Sequence, residues 1–171
     1  EKMKPVIAEY LGALPAVNRK ETFKDNKIEM RQGIYKNEFT KQQETPKASV
    51  FAFYNGDCKY DLRNNLLLSM TSQILDLVYT EKVREDEGGT YGVYVGGTLQ
   101  KYPKEKAILQ IIFDTAPEKK EKLMKIIFGE IDNITKTGPS EANLNKVKEY
   151  MLKKHTEDLK ENSYWLGSID E

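Results

Sequence analysis

Two side chains in this sequence could act together on one polar group: the guanidinium of Arg84 and the phenol of Tyr91, seven residues apart. Both are hydrogen-bond donors, and both favour an oxygen that gathers negative charge. Between them lie three consecutive acids, Glu85-Asp86-Glu87, followed by Gly88, Gly89 and Thr90. A run of acids after a helix usually forms a solvated face. An ion pair between Arg84 and these acids is the plainer reading of the arginine, and it contributes little when exposed. Gly88 and Gly89 point to a positive φ or a close backbone approach. On physical grounds alone the stretch reads first as an ordinary helix-to-strand turn.

Other chemistries lack their residues. The chain has one histidine, His155, and one cysteine, Cys58, among 171 residues. That excludes an intrachain disulfide and a thiolate metal cluster. Lys154 and Glu157 flank His155, as expected for a residue on an exposed helix face. No Ser-His-Asp set, phosphate-binding glycine loop or dinucleotide fingerprint is present. Lys plus Arg and Asp plus Glu both number 27, so there is no basic excess of the kind a nucleic-acid partner requires. No apolar run reaches the roughly 18 residues of a membrane span, and residues 1–15 lack the apolar core of a signal peptide. A membrane partner is therefore not expected. The two ends read as cuts in a longer polypeptide, with a trimmed protein as the alternative.

These residues have to be positioned by the elements around them. Apolar spacing predicts a helix over 5–11, closed by Gly12 and Pro15. A polar connection follows over 16–27, then strands over 28–39 and 48–54. A central helix is expected over 61–83, with Leu66, Met70 and Ile74 in its buried stripe. Strands over 90–99 and 107–113 flank a hairpin turn at 101–105, and the second strand is expected to be central and buried on nearly both faces. Asp114 or Thr115 is expected to cap the next helix, with Pro117 in its first turn; Gly138-Pro139 closes that helix. Ser140 should cap the last one. The fold class is α+β: a mixed, mainly antiparallel sheet with helices packed on one face. The expected organisation is a single domain, 1–171, in which 1–15 ends a preceding helix and 28–166 forms the body.

An aliphatic helix that runs through Leu77-Val78-Tyr79 into Val83-Arg84, a short acidic turn and then Gly89-Thr90-Tyr91 resembles the second-half signature of the pitrilysin/insulysin family of zinc metallopeptidases, the inverzincins. Tyr10-Leu11-Gly12-Ala13-Leu14-Pro15 is similar to a segment that closes a helix upstream of the same domain. Gly138-Pro139-Ser140-Glu141, with Leu144 and Lys148, is similar to the start of its late helix. The resemblance covers roughly residues 1–166 and implies the non-zinc, C-terminal-type domain. The family's metal site needs His-x-x-Glu-His on one helix. Here the residues three and four beyond His155 are Asp158 and Leu159, so no zinc is expected in this chain. The resemblance implies zinc in the full-length enzyme, bound by another domain of the same or a partner chain.

The resemblance also implies roles. Arg84 and Tyr91 would bind the substrate backbone and stabilise the tetrahedral oxyanion, while Gly88, Gly89 and Thr90 would line the substrate. The implied partners are a peptide and the zinc-binding domain, and the implied location is a bacterial periplasm or the cell exterior. Two alternatives stay open: a catalytically inactive homologous subunit or scaffold that acts as an interaction module, and, without the family, a small α+β ligand-binding domain. With one histidine and one cysteine, the dialysed 171-residue chain should retain far less than one zinc per chain and show no peptidase activity above background. A tight one-to-one zinc site in metal analysis would contradict this.

Overall fold

In the computed structural model, residues 2–17, 19–20, 22, 24–87 and 92–170 are described, with the backbone alone for 84–87 and 170. The element order is α1 (Met3–Tyr10), β1 (Ala48–Asp57), α2 (Leu62–Glu87), β2 (Val93–Gln100), β3 (Lys106–Thr115), a 3-10 turn (Pro117–Lys119), α3 (Lys120–Thr137), α4 (Glu141–Asp158) and α5 (Asn162–Asp170). The chain divides into two compact units, Glu1–Gly33 and Ile34–Glu171. The first holds α1, whose last turn is closed by the Leu11 amide donating to the Ile7 carbonyl at 2.9 Å. Every described residue of this unit is exposed.

The second unit is built on a three-stranded antiparallel sheet in the order β1-β3-β2. The β3 sequence is apolar over most of its length, which suits the central position, and β2 reaches it through the hairpin turn expected around Pro103. Alternation then sorts the two faces. Ile111, Phe113 and Thr115 are buried on the inner face with Val50 and Val95 beside them. Phe51, Phe53 and Tyr94 are exposed on the other. The strand expected to be buried on nearly both faces is thus fully buried on one only.

Helix α2 covers the inner face. Asp61 caps it, its Oδ1 accepting from the Asn64 amide at 2.8 Å. One stripe, Leu75, Tyr79 and Val83, packs with Ile111 and Phe113 of the sheet and with Leu123 and Ile127 of α3. A second stripe, Ile74 and Val78, packs with Val147 of α4. The helix is therefore wedged between the sheet and the later helices. A Cβ on Gly97 of β2 would lie 2.5 Å from Ser72 Oγ and 2.7 Å from Leu68 Cγ, so only glycine lets α2 approach β2 this closely. The Tyr79 hydroxyl donates to the Ile127 carbonyl at 2.9 Å within the core. Burial, with smaller contributions from Tyr54 and Glu130, pushes the Tyr79 phenol well above its usual range, so it stays protonated and remains a donor. Lys82 and Glu130 form an ion pair that also joins α2 to α3.

Several expectations are corrected. Residues 28–39 form no strand: the described residues between α1 and β1 hold neither helix nor strand. Ile28, Ile34 and Phe39 there are exposed, and left-handed φ values at Lys27 (55°) and Gly33 (82°) interrupt the extension. Helix α2 ends at Glu87, not at 83, so Arg84 and the three acids belong to its last turns. No glycine or proline precedes Gly88 to stop it. Leu66 is 48% exposed, whereas Ile74 is buried as expected. The helix is about 39 Å long against about 27 Å for β2, so the sheet runs out beneath its first turns. Asp114 lies within β3 and does not cap α3, and the 3-10 turn that leads into α3 has Ala116 at its N-cap. Ser140 does cap α4, its hydroxyl accepting from the Asn143 amide at 3.2 Å, and Gly138 closes α3 with φ 76°.

Leu75→Ala should destabilise the chain by about 2–5 kcal/mol, the range for a fully buried leucine. Leu66→Ala should cost less than about 1 kcal/mol, as surface changes do. Urea melts of both variants read the difference, and equal losses would contradict this placement of α2.

Candidate functional site

Helix and sheet hold the Arg84–Tyr91 motif by its flanks. Arg84 follows Val83, which is 3% exposed in the main core cluster. On the far side Val93 opens β2 and packs against that same cluster. The chain therefore enters and leaves the motif at two points anchored in one piece of core. Arg84 stands in the α2 backbone, and its side chain lies outside the described atoms, as do Gly88, Gly89, Thr90 and Tyr91 altogether. Gly92, directly after Tyr91, has φ 94°, a left-handed conformation that favours glycine. The sequence points to Gly88-Gly89 for such a conformation, and Gly92, one of the three glycines of the strand expected over 90–99, adopts it.

Next to the motif's exit lies an open groove of 370 Å³, lined by Asp76 of α2, Gly92, Val93 and Tyr94 at the start of β2, and Ile112, Phe113 and Asp114 near the end of β3. Two carboxylates face it in different states. Asp114 is engaged: Lys47 Nζ lies 2.7 Å from Oδ2, and the Ser49 hydroxyl donates to Oδ1 at 2.5 Å. The Lys47 bond, then the Ser49 bond, hold its carboxyl below the usual range, so it is ionised near neutral pH. Asp76 is exposed and has no hydrogen-bond or ion-pair partner among the described residues. Sequence reasoning missed both. Asp114 was read as a cap, and Asp76 was only a charge between Leu75 and Leu77.

Among the described residues no three His, Cys, Asp or Glu side chains gather as a metal site would require. His155 sits in the last turn of α4 with its ring edge-on to Tyr164, centroids 5.8 Å apart. Cys58 is half-buried, and its thiol donates to the neighbouring Lys59 carbonyl at 3.8 Å. These donors do not fit a zinc ion, and no chemical step runs through one here. No described helix is long and apolar enough to cross a membrane.

The fold is that of solved peptidase M16 inactive domains. It superposes on the periplasmic protease PqqL from Escherichia coli with a TM-score of 0.64 at 19% identity, covering 74% of this chain and 14% of that one. A second match is the peptidase M16 inactive domain from Pseudomonas fluorescens, with a TM-score of 0.60 at 24% identity, covering 73% of this chain and 30% of that one. In sequence, a protein of Arabidopsis thaliana named "Zinc protease PQQL-like" is 24% identical over 107 residues, which is 60% of this chain and 11% of that relative. The chain thus spans about a tenth of the length of the curated relative that it matches. The family described as peptidase M16 inactive domain matches residues 1–151, and the chain belongs to it.

Proposed function

We propose that this chain is the substrate-binding, metal-free domain of a zinc endopeptidase that encloses peptides between two bowl-shaped halves. The observation that carries the reading is the anchoring of both flanks of the Arg84–Tyr91 motif, at Val83 and Val93, in one core cluster. Membership of the inactive-domain family and likeness to proteins named zinc proteases support it. In this reading the metal, held by another domain, supplies the activated water. The work of this chain is to bind and orient. The guanidinium of Arg84 grips a substrate carbonyl in the ground state, and the phenol of Tyr91 donates to the same oxygen as it becomes negative. Gly88, Gly89 and Thr90 pass beside the substrate backbone. The relative named periplasmic favours an extracytoplasmic location.

In the complete protease, Tyr91→Phe should lower kcat by about 10²–10³, the scale for loss of one oxyanion donor, with the thermal melt unchanged. Arg84→Ala should lower kcat and raise KM as well, because its contact also exists in the ground state. Wild-type kinetics in both variants would leave a shared fold without a shared mechanism, and the scaffold reading would take its place.

A further inference from the structure

Helix α2 is packed along its middle by apolar contacts, whereas its polar ties to other helices gather near one end. Between described residues those ties fall within 79–82. The Tyr79 hydroxyl donates to the Ile127 carbonyl of α3 at 2.9 Å. Lys82 pairs with Glu130 of α3, and Glu81 lies 3.5 Å from Lys146 of α4. Arg84 stands two residues beyond Lys82 in the α2 backbone. The two ties to α3 share one geometry. Tyr79 and Lys82 are three residues apart on α2, and Ile127 and Glu130 are three apart on α3, so each pair shares a helix face. Hydrogen bonds and ion pairs are directional and apolar contacts are not, so these ties fix the rotation and the axial position of this end of α2 against α3.

Stability alone does not account for the Lys82–Glu130 pair. The Glu130 side chain is only 15% exposed and that of Lys82 is 47% exposed. Taking a carboxylate that far out of water offsets much of its attraction to the lysine, and an apolar side chain of similar size would hold the helices together as well. What the pair adds is a fixed register. The exposed Glu81–Lys146 pair adds little of either. We infer that Glu130 is a positioning residue of the proposed site: through Lys82 it fixes the turn of α2 from which Arg84 reaches the substrate. The inference rests on the reading that Arg84 binds the substrate, and it names α3 as the element that sets where Arg84 stands. A reacting group misplaced by about 1 Å can cost up to about 10² in rate, so a brace remote from the chemistry is felt in catalysis.

The test is a double-mutant cycle in the complete protease, with peptide cleavage assayed well below the melting temperature of every variant. Glu130→Gln and Lys82→Met should each lower kcat about tenfold, and Lys82→Arg, which keeps the pair, should restore it. In an Arg84→Ala background, Glu130→Gln should lower kcat no further, because no guanidinium remains to be placed. A contact that served stability alone would lower the melt and act alike in both backgrounds. Lys82 is the more exposed partner, so its two variants carry the test if Glu130→Gln does not fold. Equal losses of kcat with and without Arg84, or no loss in either, overturn the brace and leave the role of Arg84 in place. Wild-type kinetics in Arg84→Ala itself overturn both.

Discussion

The contact between α2 and β2 at Gly97 is the constraint on which the rest of the structure depends. With no Cβ at that point, the helix rests close against the strand through Leu68 and Ser72. The same helix face continues through Leu75 and Tyr79 to Val83, so one line of packing runs from the hairpin side of the sheet to the motif. Tyr79 then ties this line to α3 by a buried hydrogen bond. A side chain at position 97 would press on Ser72 and Leu68 of α2, which would have to shift.

The second stripe of α2 explains why a long helix can be both the centre of the domain and the entrance to its site. Ile74 and Val78 pack with Val147 of α4, so α2 is held from two directions while its last turns run on past the core. Core packing at Val83 and β pairing from Val93 hold the two flanks of the motif. In the proposed reading, Arg84 and Tyr91 would gain precision from the scaffold on either side.

Much of this fold was legible because its periodic stretches are long. The helix over 61–83 and the strands over 48–54 and 107–113 are all present, since sustained spacing and β-branched or aromatic runs leave few alternatives. Residues 28–39 misled because Ile28, Ile34 and Phe39 alternate loosely, yet find no strand to pair with. Periodicity gave the face of α2 on which Leu66 lies but not the length of sheet beneath it. The acids after Arg84 suggested a turn, but no glycine or proline interrupts α2 before Gly88. At the site, Arg84 and Tyr91 stood out through the family resemblance. The groove was invisible, because Asp76 and Asp114 are brought together only by the packing of α2 and the pairing of β2 with β3.

The central claim is a division of labour in which this chain holds the substrate and another domain carries the metal. Its most direct test is complementation: the protease lacking this domain is titrated with the 171-residue chain while cleavage of a fluorogenic peptide is followed. The account predicts that neither component cleaves alone and that activity rises with added chain and saturates at one equivalent. Full activity of the protease without this domain, or a mixture that stays inactive although the two components bind, would contradict it.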